Sequence, residues 1–262
     1  IYALIADPLV SQSFGNTTYL INGSLNDATM SPLNYGNPGG STNAWAGHRA
    51  TKAWYGLFGN TASQLASSAD IRASLFYTNY QDVDVAKRHS FEMTNYKTWT
   101  DGYPSVKFTN NNFIGTTTPA AFAGTDFPLF RLADVYLMLA EAQMRNSGAT
   151  NSSLDQTGIA TQQSVDYIND IRERAFGNES ANVSVSQVSL QFILDERLRE
   201  LHWESHRRQD LIRFNRYTGG VYNWAWKGNG ANGISIPSHL KLYPIPEASL
   251  ASNPNLTQNP GY

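Results

Sequence analysis

The chain contains no cysteine, which excludes disulfides, thiolate metal centres, thiol nucleophiles and a cysteine-borne lipid on these residues. Charge is scarce too: Asp, Glu, Lys and Arg make up 15% of 262 residues, with a formal net charge of −2 and a pI of about 6.2. A nucleic-acid binder needs a basic face to displace counterions, and this balance supplies none. Long hydrophobic runs are missing. The run 135–140 is six residues long and none is longer, against roughly 20 for a helix that crosses a bilayer. The chain begins at Ile1 without methionine or a basic-plus-apolar leader, so we expect a processed or trimmed chain. Asn-X-Ser/Thr triplets occur at Asn16, Asn22, Asn151, Asn178, Asn182 and Asn255, as chance alone provides in a chain so rich in these residues.

What is present argues for a packed protein. Hydrophobic residues make up 41% and aromatic residues 12%, too many for a solvated, disordered chain. A chain of this size can bury about three-quarters of its unfolded surface. The polar share is mostly Asn, Thr, Ser, Gln and Gly, a neutral hydrogen-bonding surface.

The texture changes along the chain. Residues 1–126 are loop-rich, 127–217 have helical patterning, and 218–262 return to Gly, Pro and Asn punctuation. We read these as one domain: a loop-rich region, a helical core and a tail packing on the helices. No repeat at 20–50 residues is visible. In the first region the pattern predicts a helix over 45–58, capped by Ser41 or Asn43, and a short helix over 63–68. Short strands are expected at 73–77 and 105–108.

The predicted helix 130–146 carries Arg131, Asp134, Glu141 and Arg145 in one narrow strip, and most of its remaining circumference is apolar. Such a helix needs cover from several neighbours. A second helix spans 157–175 and stops at Gly177; a third starts near Ser186 and runs at least to Glu204. Short connections favour antiparallel hairpins.

Three groups of residues could carry chemistry. His202 and His206 have the spacing of a metal pair, but Glu204 is misplaced for a zinc protease, and we expect solvent-facing histidines with no metal. Glu196, Glu200 and Glu204 form an i, i+4 row that would repel by itself. Arg197, Arg199, Arg207, Arg208 and Arg213 lie near enough in sequence to neutralise it, with Asp210 as a further partner. Glycosidic hydrolysis needs an isolated carboxylic acid, and arginines would hold these groups ionised. A structural ion network is therefore expected, without catalysis.

The aromatics form the third group. Flat indoles can stack on the C–H faces of sugar rings while Asn and Thr bond the hydroxyls. Trp54 and Tyr55 sit inside a helical pattern, and Tyr222, Trp224 and Trp226 alternate like one face of a strand, so packing accounts for all five. Trp45 follows the Gly/Asn-rich stretch 34–43 and stays open to exposure or packing.

Six ordered motifs then carry a resemblance. They are Phe130-Arg131-Leu132-Ala133-Asp134-Val135-Tyr136 with Ala140-Glu141-Ala142; Ile168-Asn169-Asp170-Ile171-Arg172; Ile193-Leu194-Asp195-Glu196-Arg197 with Glu200-Leu201; Glu204-Ser205-His206-Arg207; Asp210-Leu211-Ile212-Arg213; and the tail. The tail reads Leu242-Tyr243-Pro244-Ile245-Pro246, then Asn253-Pro254-Asn255-Leu256 and Gln258-Asn259-Pro260-Gly261-Tyr262. Together they resemble the SusD/RagB family of outer-membrane nutrient-binding lipoproteins. Weaker matches at 45–51 and Asp70-Ile71-Arg72 extend the likeness. Ser205 stands where the family usually has glycine, and a continuous helix is still expected there.

The resemblance implies a mainly α-helical, SusD-like fold: tetratricopeptide-like helix hairpins with long irregular loops and a few short strands. It implies the C-terminal half of a full member, with signal peptide, lipid anchor and most tetratricopeptide-like helices preceding Ile1. It further implies a protein that is not an enzyme and uses no cofactor. Such a protein sits on the outer surface of Bacteroidetes-type cells and captures oligosaccharides, or sometimes peptides, for a SusC-like TonB-dependent transporter. Its ligand site would draw on residues 19–49, with Trp45 as stacking platform, Tyr19 and Tyr35 flanking it, and Asn43 and Arg49 donating hydrogen bonds. A helical protein-interaction scaffold of the same importer is the alternative.

Overall fold

A computed structural model describes residues 2–10, 12–40, 43–79, 81–111 and 121–262. The chain is mainly α-helical with very few strand residues, and its contacts divide it into two compact units, residues 1–205 and 206–262.

The first unit is built on three helices: α4 (Leu132–Asn146), α5 (Gln162–Phe176) and α6 (Leu190–Leu201). Two begin with side-chain caps that satisfy an otherwise orphaned amide. Thr161 accepts from Ser164 N–H at 3.1 Å, and Ser189 accepts from Phe192 N–H at 3.1 Å. Gly177 ends α5 in the left-handed conformation, φ 71°, as its position in the sequence predicted. The third helix starts after Ser189 instead of Ser186, because the later serine is the one whose hydroxyl reaches a free amide.

α4 packs against both α5 and α6. It buries Ala133, Leu137, Ala140 and Met144 together with Asp134 and Glu141, while Leu132, Val135, Met138 and Leu139 are exposed. The polar strip thus lies inward, with Arg197 on Asp134 at 2.8 Å and Arg145 on Glu141 at 2.8 Å. Ahead of α4, β2 (Phe127–Phe130) pairs antiparallel with β1 (Tyr2–Leu4), and Tyr2, Leu4 and Phe130 are exposed as well.

The loop-rich part holds α1 (Asn16–Ser24), α2 (Lys52–Tyr55) and α3 (Ala62–Ala66). The predicted helix 45–58 shrinks to the four residues of α2, capped in position by Thr51 and not Asn43; Ser41 lies outside the described residues. The predicted strands also fail to form: Ile71–Leu75 is a 3-10 turn, and only a single bridge joins Phe76 to Ser105. Aromatic packing replaces regular pairing here. Tyr55, Tyr103, Phe76 and Phe91 form a core with Leu65 and Phe58, and the Tyr55 hydroxyl donates to the Phe91 carbonyl.

The second unit contains α7 (Arg207–Arg213) and α8 (Glu247–Ser252). Tyr222 and Trp224 pack ring to ring at 5.7 Å, and the buried Lys227 ammonium lies 4.8 Å from the Trp224 ring centre. The tail motif has a plain physical role. The Gln258 side-chain amide accepts from Ile245 N–H at 2.8 Å and donates to Ile245 C=O at 3.0 Å, standing in for a strand partner. Asn259 donates to the Tyr243 carbonyl at 2.7 Å, and the Tyr262 hydroxyl to the Leu242 carbonyl at 2.7 Å.

Candidate ligand-binding site

The last carbonyls of a helix have no partner inside it. At the C-terminal end of α1 the segment 45–48 supplies them. Trp45 N–H donates to Asn22 C=O at 2.8 Å, Ala46 to Leu25 at 2.9 Å, and Gly47 and His48 both to Gly23 at 2.9 and 2.7 Å. Gly23 is required by this close approach, since a Cβ there would stand 2.3 Å from His48 Nδ1. Ala46 turns the chain in the left-handed region, φ 52°.

This docking sets aromatic side chains beside one another. Trp45 is 39% exposed and Tyr19, on α1, is 50% exposed; their ring centres are 6.0 Å apart. Phe14, 57% exposed, continues the row at 6.3 Å from Trp45 and 5.0 Å from Phe122. Beneath Tyr19 lies His48, edge-on at 4.5 Å, and His48 in turn meets Trp203 at 5.3 Å. Burial pushes the His48 imidazole below its ordinary pKa, so Tyr19 rests on a neutral ring. Phe14, His48 and Trp203 were not singled out from sequence. Phe14 has the same texture as Trp45, an aromatic in a Ser/Gly/Asn stretch, and could have been found by that sign.

The other expected site residues go elsewhere. Tyr35 is half-buried and packs edge-on against Tyr77 at 6.3 Å. Asn43 Nδ2 donates to the Pro38 carbonyl at 2.8 Å, closing its own loop. Arg49 donates to the carbonyls of Asp101, at 2.9 Å, and of Thr98 and Tyr96, with its guanidinium 5.6 Å from the Trp99 ring centre. Its donors hold the 96–101 loop.

The charged residues also differ from expectation in detail. His202 is buried, not solvent-facing: its ring stacks on Phe76 at 5.4 Å and meets Trp54 at 5.0 Å. Burial and then Lys107 hold it well below its ordinary pKa, hence neutral. Glu196, Glu200 and Glu204 are all buried in an ion network, but most of its cations come from afar. Arg72 reaches Glu196 at 2.8 Å and Glu200 at 3.0 Å; Arg172 and Arg199 join Glu196 at 3.1 and 3.0 Å. Arg174 and Arg131 join Glu200 at 2.6 and 2.5 Å, and Arg131 and Lys107 close on Glu204. Of the neighbours expected to serve, Arg199 does, while Arg197 pairs with Asp134 and Arg213 with Asp210, at 2.8 Å each. Arg207 bonds the Tyr222 hydroxyl at 3.1 Å, and Arg208 lies between the Tyr217 and Tyr243 rings. Burial raises the Glu200 pKa, but Arg131, Arg174 and Arg72 outweigh it and bring it down to about 2. Among the described residues no three His, Asp or Glu side chains gather as a metal would require.

Solved structures share this fold. A SusD superfamily protein from Parabacteroides distasonis matches all of the chain and 50% of its own, with a TM-score of 0.59 at 21% identity. Another from Bacteroides fragilis matches all of the chain and 51% of its own, with a TM-score of 0.55 at 23% identity. The SusD family profile matches residues 77–262, so the chain belongs to the SusD family. The starch-binding protein SusD of Bacteroides thetaiotaomicron is 39% identical over 165 residues, which are 63% of this chain and 27% of that protein. A SusD-like protein of Formosa agariphila is 37% identical over 134 residues, 50% of this chain and 23% of its own. The chain thus spans about half the length of the solved relatives and aligns with about a quarter of the curated ones.

Proposed function

We propose that this chain is the ligand-bearing part of a non-catalytic, cell-surface glycan-binding protein, which holds an oligosaccharide for uptake through a SusC-like TonB-dependent transporter in the outer membrane. The observation that carries the reading is the exposed row Phe14–Trp45–Tyr19, in a chain 39% identical over its aligned part to a protein named for binding starch. Apolar sugar faces stack on such rings, and the neutral surroundings leave the hydroxyls to amides and water. Asn43 and Arg49 act in this reading by fixing loops, and Tyr35 stands apart from the row. Every glutamate of the buried row is paired with a cation, which leaves no carboxylic acid there to protonate a glycosidic oxygen.

A shallow stacked site binds at roughly micromolar to millimolar Kd, about −8 to −4 kcal/mol. Native electrophoresis through gels containing amylopectin, dextran, mannan or xylan tests the reading. Retardation is expected in at least one gel, with Trp45→Ala removing at least nine-tenths of it. Equal migration in all four gels, or retardation indifferent to Trp45, overturns it. A second reading, a helical scaffold that holds the transporter protein, is favoured by the exposed apolar residues of α4. It predicts a stable complex with that transporter and no glycan response.

A further inference from the structure

A cleft of about 740 Å³ opens in the first unit beside the 3-10 turn Ile71–Leu75. That volume falls in the roughly 300–1,000 Å³ range of small-molecule sites. Neither Trp45 nor Tyr19 lines it. Its apolar floor is Leu65, Phe76 and Val106, and its polar wall includes Tyr35, Gln81 and Asp82.

Each polar wall group has a definite state. The Tyr77 hydroxyl donates to the Thr29 carbonyl at 2.9 Å, and Asn79 Nδ2 donates to Asp82 at 3.0 Å and to the carbonyls of Thr29 and Lys87. These two shape the wall and have no donor to spare. Asp70 is closed off by Arg72 at 2.7 Å. Tyr35 braces its ring on Tyr77, and its hydroxyl has no hydrogen-bond partner among the described residues. The Gln81 amide likewise has none. The half-buried Asp82 carboxylate accepts from Asp84 N–H at 2.8 Å and from Asn79, and these bonds, with the nearby Lys87 and Arg88, hold its pKa below the usual carboxylate range. It is ionised at neutral pH and keeps further lone pairs for a ligand.

The wall therefore offers a phenol, an amide and a carboxylate over an apolar floor, and no Lys or Arg lines the cleft. A wall carboxylate whose nearest cations, Lys87 and Arg88, stand outside the cleft disfavours uronates and sulfates there and accepts hydroxyl donors. We propose that this cleft is a second carbohydrate site, separate from the Trp45 row, that takes a neutral sugar unit with its hydroxyls on Tyr35, Gln81 and Asp82 and its C–H face on Ile71 and Val106. The proposal rests on the glycan-binding reading but not on the Trp45 row. One polymer spanning both sites would gain by avidity over either alone.

Amide chemical shifts of the isotope-labelled chain, titrated separately with maltotriose, cellotriose, mannotriose and trigalacturonate, test it. At least one neutral trisaccharide should shift the Gln81 and Asp82 amides at millimolar concentration, in the wild type and in Trp45→Ala alike. Tyr35→Phe with Gln81→Ala, which removes hydroxyl and amide but leaves the floor, should weaken those shifts at least tenfold and spare shifts near Trp45. Asp82→Asn should weaken them severalfold. Silence of the cleft amides with all four sugars, loss of their shifts in Trp45→Ala, or an equal response to trigalacturonate overturns the second site. Shifts at the cleft without any at Trp45 or Tyr19 uphold it and overturn the ring row instead.

Discussion

The helical region and the loop-rich region of the first unit solve the same problem by opposite means. Around α4, α5 and α6 the backbone satisfies itself within each helix, and the side chains are free to assemble charges: three buried glutamates meet six cations. Around residues 14–110 the backbone is irregular. Its amides and carbonyls are met by other loops, by Arg49 and by the end of α1, and the interior is filled with aromatic rings. Rings suit such a region because each buries a large area with few torsions to restrain. Where the irregular backbone meets the surface, the same rings are left uncovered, and there the ligand row is proposed. The charged interior ties the helices to one another and to the loops, and the aromatic one fills the space that irregular backbone leaves.

The largest blow to this contrast is aimed at its charged side. Glu200→Ala should lower stability by about 3–5 kcal/mol in denaturant titration, because it strips a partner from the buried Arg72 and the half-buried Arg131. A loss below 1 kcal/mol would mean that the network is ornamental to the fold. Acid provides the same test without mutation. The folded Glu200 pKa, about 2, lies below its ordinary 4.5, so the folded state binds fewer protons between these values. The stability it contributes is therefore complete above about pH 4.5 and lost as pH falls towards 2. Unfolding midpoints measured from pH 7 to 2 should show that decline, reduced in Glu200→Gln.

Smaller changes probe the aromatic side. Gly23→Ala places a Cβ 2.3 Å from the His48 ring, and overpacking of this kind costs about 1–3 kcal/mol. Displacing His48 should also tilt Tyr19 and weaken glycan binding, although no exposed ring is altered; wild-type binding by this variant would show that His48 does not set the row. Ser205→Gly acts in the other direction. Ser205 holds φ 64°, a left-handed conformation that costs a side-chain-bearing residue about 1–2 kcal/mol, so glycine should raise stability by about 1 kcal/mol, read as a higher midpoint. Trp45→Ala, which removes a ring 39% exposed and packed on Phe14 and Tyr19, should move that midpoint by about 1 kcal/mol, a small change beside its large effect on binding.

Legibility from sequence followed the same divide. The bulk of α4, the body of α5 with its glycine stop, and the existence of α6 were readable because helix periodicity and capping are local; α5 nonetheless begins at Gln162 behind the Thr161 cap, five residues later than expected, and α6 is shorter at both ends than expected. The start of α6 was misplaced by three residues, since Ser186 and Ser189 offer the same cap chemistry. The predicted helix 45–58 failed because its front half spends its amides on α1 rather than on its own carbonyls. Ser205 was read as helical, yet Trp203 and Ser205 both adopt left-handed backbone and end the helix at Leu201. Trp45 and Tyr19, named together from the sequence, lie side by side; Asn43 and Arg49 were recognisable as polar groups in loops, but nothing in their spacing said that loop carbonyls would claim them.

The amino-acid order by itself determined the three long helices in outline, the glycine stop of α5, the family motifs and the sparse, nearly neutral charge, because each depends on residues a few positions apart or on counting. Only the tertiary structure decided which cations meet the glutamate row, that His202 is buried, and which rings remain in contact with solvent. Those outcomes depend on groups such as Arg72 and Glu200, 128 positions apart, brought together by the free energy of the whole packed core.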